Sequence, residues 1–111
     1  AQNEPVTGTW YGLWNNMEWN ATTQRDWIRD YLGPTLERDG YGDLKLIILD
    51  DQRLYLPDWP LTVLGDTEAA KYVSGIGVHW YMDPFIPAQV LTDTHDFLPD
   101  YFLLYTEACT G

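Results

Sequence analysis

Segments that read as strands alternate with segments that read as helices along the whole chain, and this order predicts an α/β fold on a parallel sheet. Leu44-Lys45-Leu46-Ile47-Ile48-Leu49 is a nearly continuous apolar run, as expected of a strand covered on both faces. Each candidate strand ends in proline or in acidic residues. Four consecutive strands of this kind make half of an eight-stranded α/β barrel. The 111 residues fall short of the roughly 200 or more that a closed barrel needs. The expectation is therefore one partial, incomplete barrel domain over residues 1–111, excerpted from a longer polypeptide.

In chain order, residues 1–4 read as the tail of a strand stopped by Pro5, which cannot donate to a ladder. Residues 6–21 form a loop rich in glycine, asparagine and aromatics, among them Trp10, Tyr11, Trp14 and Trp19. Aromatics in a loop after a strand end suggest a binding rim. Thr22 or Thr23 is placed to cap a helix running to about Arg38, with Trp27, Ile28, Tyr31, Leu32, Thr35 and Leu36 on one stripe. Gly33-Pro34 predicts a kink inside it. Gly40-Tyr41-Gly42-Asp43 is a turn before the strand of 44–49, which is expected to end at Asp50-Asp51-Gln52.

A short helix is expected over 60–65. A second follows Asp66 or Thr67, covers 68–73 and ends at Gly75. Residues 76–81 read as the next strand, with Asp83-Pro84 as its stop. A helix over 87–97 would turn Ala88, Leu91 and His95 inward, and 101–106 is the last strand, with Glu107 at its end.

The net charge of −11 argues against nucleic acid as a partner, because phosphate binding needs clustered lysine and arginine. The single Cys109 excludes an internal disulfide and any cysteine-based zinc cluster. No run approaches the ~20 apolar residues of a membrane span. Residues 1–4 have neither the basic start nor the apolar run of a secretory leader. Six tryptophans and eight tyrosines supply aromatic faces that fill cores and also stack on sugars.

The two ends of the chain each carry a glutamate where a strand stops, Glu4 and Glu107. Cleaving a glycosidic bond needs two carboxylates facing it, and barrel active sites lie at strand C-termini. Asn3-Glu4-Pro5, Asp50-Asp51-Gln52-Arg53-Leu54, His79-Trp80-Tyr81 and Thr106-Glu107-Ala108-Cys109, at these spacings, resemble the glucosylceramidase branch of glycoside hydrolase family 30. The similarity runs through Gln24-Arg25-Asp26, Leu32-Gly33-Pro34-Thr35-Leu36 and Glu68-Ala69-Ala70-Lys71-Tyr72-Val73, nearly the whole chain.

The resemblance implies a (β/α)8 TIM barrel of which this chain spans about strands four to seven. It implies a retaining β-glucosidase that splits glucosylceramide into glucose and ceramide, with Glu4 as acid/base and Glu107 as nucleophile. Asn3 would bind the sugar 2-hydroxyl. Trp14, Gln52, His79, Trp80 and Tyr81 would contact substrate, with Tyr81 also donating to Glu107. Asp50 and Asp51 would either bind a cation or brace the barrel mouth through hydrogen bonds; two adjacent carboxylates alone make a poor metal site, so no metal or other cofactor is expected. A lysosomal location, a saposin-type activator and contact with anionic lipid follow from the same resemblance. Asn20-Ala21-Thr22 is a glycosylation sequon if the protein is secreted. Two other readings stay open: a non-catalytic sugar- or lipid-binding product, and another family 30 glycosidase such as a xylan-cleaving enzyme.

Overall fold

The computed structural model describes residues 2–7, 12 and 15–109. Its sheet has three parallel strands, β1 (Ile47–Gln52), β2 (Gly75–His79) and β3 (Phe102–Glu107), in the spatial order β1-β2-β3. The central strand β2 is buried along its whole length, as a parallel strand covered on both faces must be. No strand forms over residues 2–4, contrary to the expectation of a fourth. One backbone bond, from Glu4 N–H to the Asp50 carbonyl at 2.9 Å, lays this segment beside β1. Glu4 then turns away with φ +44°, and Pro5 has no N–H to continue a ladder.

β1 lies three residues later than the sequence pattern suggests. Leu44 is exposed and precedes the strand, and the polar Asp51 and Gln52 lie inside it, paired with Val78 and His79. Polarity misled the reading because these side chains are buried with partners. The register slips between Leu49 and Asp51, where Leu49 and Asp50 both take left-handed φ values of 67° and 56°. This bulge departs from regular alternation and so re-aims these two successive carboxylates.

Before the sheet come α1 (Ala21–Trp27), a π-helical stretch (Ile28–Leu32) and α2 (Gly33–Arg38). The cap of α1 is Asn20, not Thr22 or Thr23: its Oδ1 accepts from Thr23 N–H at 2.7 Å. The irregularity expected at Gly33-Pro34 takes the form of the wider π turn, in which Gly33 N–H reaches back to the Ile28 carbonyl. Pro34, which lacks an N–H, falls in the first turn of the next α-helix, where none is needed. The extra residue rotates the buried line onto Gln24, Ile28 and Gly33, leaving Tyr31 and Thr35 exposed. Gly33 lies against the Tyr72 ring, which a Cβ there would meet at 2.2 Å.

After β1 come α3 (Asp58–Leu64) and α4 (Thr67–Ala70), the latter capped by Asp66. α4 ends at Ala70, and Gly75 opens β2 instead of closing the helix. Beyond β2, Trp80 and Tyr81 belong to a turn, not to the strand. α5 (Gln89–Phe97) starts two residues later than expected, so Val90, Leu91 and Thr94 face inward while Ala88 and His95 are exposed. The core fills the space between sheet and helices, with Ile28, Ile48, Leu49, Val63 and Ile76 at its centre.

Candidate functional site

The C-terminal ends of the three strands and the Glu4 turn meet at one place. β1 supplies Asp50, Asp51 and Gln52, β2 ends at His79, and β3 supplies Thr106 and Glu107. Glu4, from the far end of the chain, is buried here, and one carboxylate oxygen each of Glu4 and Glu107 and a ring nitrogen of His79 lie within 4.8 Å of one another. The structure thus brings together the two glutamates that the sequence places 103 positions apart (107 − 4).

His79 is fully buried at the centre. Its Nδ1 is 3.2 Å from Glu4 Oε1, and its Nε2 is 3.0 Å from Asp50 Oδ1 and 3.6 Å from Glu107 Oε1. Burial by itself would lower the basicity of His79. The hydrogen bonds to Asp50 and Glu4, with the Glu107 charge, reverse this and hold its pKa above the ordinary histidine value. Burial pushes the Glu4 carboxyl above the usual carboxylate range, outweighing the opposing hydrogen bond from His79. For Asp50, burial is outweighed by the hydrogen bonds from His79 and from Thr106 Oγ1 at 2.7 Å, so it stays below its ordinary value. Relative to their ordinary values, these surroundings favour the charged forms of Asp50 and His79 and the protonated form of Glu4. Each imidazole nitrogen meets a carboxylate oxygen, Nδ1 that of Glu4 and Nε2 that of Asp50.

Asp51 faces the other way and holds the Glu4 turn. Its Oδ2 accepts from Val6 N–H at 3.0 Å and Thr7 N–H at 3.1 Å; its Oδ1 accepts from Gln52 N–H at 2.7 Å and from the Thr7 hydroxyl. Asn16 Nδ2 donates to the Glu4 carbonyl at 3.0 Å. Gln52, expected to touch substrate, is buried and donates to Glu4 Oε1 at 3.4 Å.

Tyr81 is exposed and donates to Glu107 Oε2 at 2.9 Å, so the expected tyrosine–glutamate bond forms. The hydrogen bond that it donates to Glu107, together with partial desolvation and the Glu107 charge, keeps the phenol above its ordinary pKa. Trp80 reaches the site through its backbone, N–H to the Glu107 carbonyl at 3.2 Å. Asn3 is exposed beside Glu4, in a hollow of about 320 Å³ shared with Gln2, Asn15, Asn16 and Trp19. Asn20 is exposed at its cap position. Trp14, with Trp10 and Tyr11, lies outside the described residues. Trp19, placed on the rim by the sequence, instead sets its ring edge-on to Trp27, with centroids 4.9 Å apart.

Sequence reasoning gave Asp50 and Asp51 only a general bracing role and gave Thr106, Thr7 and Gln24 none. Gln24 is fully buried, and its Oε1 accepts from Leu49 N–H at 3.2 Å and Trp59 Nε1–H at 2.8 Å, fixing the backbone where the bulge begins. A glutamine on the inner line of an otherwise apolar helix face was the available signal.

Residues 1–111 match the glycosyl hydrolase family 30 TIM-barrel domain over their full extent. The chain belongs to glycoside hydrolase family 30. Family 30 relatives include lysosomal acid glucosylceramidase of Mus musculus, 48% identical over 113 residues, and putative glucosylceramidase 4 of Caenorhabditis elegans, 49% identical over 114. These alignments take in 100% and 99% of this chain and 22% of each relative, so it spans about a fifth of their length. Among solved structures, SrfJ from Salmonella typhimurium superposes with a TM-score of 0.84 at 28% identity, covering 97% of this chain and 23% of that one. The endo-β1,6-glucanase BT3312 superposes with a TM-score of 0.81 at 26% identity, over 99% of this chain and 24% of that one. The fold is thus part of a family 30 TIM barrel, and the three parallel strands belong to its wall.

Proposed function

We propose that this chain carries the two catalytic carboxylates of a retaining β-glucosidase acting on glucosylceramide. The observation that carries the reading is that one carboxylate oxygen of Glu4 and one of Glu107 lie within 4.8 Å of each other. Retaining enzymes hold the two carboxyls about 5–5.5 Å apart, whereas inverting enzymes leave about 6.5–9.5 Å for a water. Glu107, steadied by the Tyr81 hydroxyl, attacks the anomeric carbon as the bond to the leaving oxygen breaks. Glu4 gives its proton to that oxygen. Once Glu107 is esterified its charge no longer bears on Glu4, which then takes a proton from water while the water oxygen displaces Glu107.

Support for glucosylceramide comes from the relatives that bear the name glucosylceramidase, at 43–49% identity. The lysosome is the proposed compartment, on the printed name of the mouse relative and on a site poised for mild acid. A saposin-type activator and anionic lipid are proposed as partners on the family resemblance. The net charge of −11 requires acid pH, or a docking surface outside these residues, for the lipid contact.

The test uses the natural full-length polypeptide. Glu107→Gln is expected to lower kcat on an aryl β-glucoside by at least about 10³-fold, while a glucose-like inhibitor still binds. Turnover surviving in that variant removes the nucleophile assignment. Faster hydrolysis of a β-xyloside than of the β-glucoside removes the substrate assignment alone.

A further inference from the structure

Glu4 presents two chemically unequal oxygens. Oε1 faces inward and meets two donors, His79 Nδ1 at 3.2 Å and Gln52 Nε2 at 3.4 Å. The groups around His79 are Glu4 from the N-terminal turn, Asp50 from β1, Glu107 from β3 and the Tyr81 ring edge-on at 6.2 Å, with Asp51 behind Glu4. With three carboxylates around it, the ring is satisfied when both nitrogens carry hydrogen.

We infer that His79 is a positioning residue: anchored by Asp50 and Thr106, it donates from Nδ1 to Glu4 Oε1 and so confines the catalytic proton to Glu4 Oε2. An oxygen that accepts two N–H bonds has no room to carry a hydrogen of its own on the same side, so a protonated Glu4 bears it on Oε2. Were the imidazole neutral, its hydrogen would stay on Nε2, between Asp50 and Glu107. Nδ1 would then be an acceptor and would draw the Glu4 proton onto Oε1, away from the leaving oxygen. The imidazolium therefore orients the acid before cleavage, and afterwards it stabilises the carboxylate that remains when the Oε2–H bond has given its proton to the departing oxygen. His79 itself exchanges no proton with substrate.

This rests on Glu4 being the acid/base, and the experiment separates the two claims. Rates are measured in the full-length enzyme with an alkyl β-glucoside, whose leaving group needs a proton, and with a 2,4-dinitrophenyl β-glucoside, whose leaving group does not. His79→Ala is expected to lower kcat/KM on the alkyl glucoside about 10²-fold, and at least tenfold less on the activated one. His79→Asn restores a donor at the Nδ1 position without a charge. It should recover part of the loss and move the alkaline limb of the pH profile up by about one unit, since the cation that favours the Glu4 anion is gone. Equal losses on both substrates, or an alkaline limb that stays in place or moves down in His79→Asn, overturn the inference. If His79→Ala does not fold, the direction of the His79→Asn limb alone decides. Glu4→Gln in the same assays must show the leaving-group dependence; if it does not, it is the acid/base reading of Glu4 that fails.

Discussion

Glu4 holds a backbone conformation that costs a non-glycine residue about 1 kcal/mol or more. At φ +44° it persists because Asp51 accepts from the two amides and the hydroxyl that follow Pro5, and Asn16 binds the Glu4 carbonyl. The neighbouring charges make stability depend on pH. His79 binds its proton more tightly folded than unfolded, so its contribution is complete below about 6.5 and is lost as pH rises through its raised folded value. Glu4 acts in the same direction, from about 4.3 upward. Asp50, held low, contributes above about 3.9 and loses this as pH falls through its depressed value. Thermal denaturation of the full-length protein across pH 3–9 is expected to give the highest Tm between about pH 4 and 5, with a decline towards neutrality that His79→Asn reduces. A Tm that rises steadily from pH 5 to 8 contradicts these assignments.

At the scale of elements, the site depends on the bulge in β1. A regular strand alternates its side chains, and Asp50 and Asp51 would then point to opposite faces of the sheet. The left-handed residues Leu49 and Asp50 instead deliver Asp50 to His79 and Thr106, and Asp51 to the Glu4 turn. Gln24 of α1 ties the start of the bulge to Trp59 of α3 through one carbonyl oxygen. Gln24→Leu preserves bulk but leaves two buried N–H donors without this acceptor, at about 1–3 kcal/mol each. Urea unfolding of the variant should show a loss of about 2 kcal/mol or more, and kcat should fall because Asp50 loses its setting. A loss under 0.5 kcal/mol, about the size of a neutral surface change, counts against this role.

For the molecule as a whole, the sheet is unequally protected. β2 is sealed on both sides, whereas β3, one of the two outer strands, exposes Phe102, Leu104 and Tyr105. An outer strand with an apolar, unpaired edge invites pairing with another chain. The 111-residue chain expressed alone is therefore expected to self-associate or to be inactive, as read by light scattering and β-glucosidase assay. A monomer with a cooperative melt and full activity refutes this. The intact mass of the natural polypeptide bears on the same point, since this chain spans about a fifth of the relatives it matches.

The sequence by itself determined the α/β class, the parallel order, the position of β3 and the placing of Glu107 at its end, because apolar runs and strand-end acids are local signals. The bond from Tyr81 to Glu107 was also expected, and it forms from the turn beyond β2. Tertiary structure decided what depends on partners distant in the chain. Asp51 and Gln52 stay inside a strand because groups 44 or more positions away meet them: the Val6 and Thr7 amides donate to Asp51, and Gln52 donates to the Glu4 carboxylate. Gln24 replaces an apolar residue in the core because two donors converge on it. His79 became the centre of a hydrogen-bonded carboxylate cluster because folding set three carboxylates around one buried ring. Hydrophobic periodicity is blind to such positions: it records which side chains leave water, and the identity of the groups they meet is fixed only when the strands are side by side.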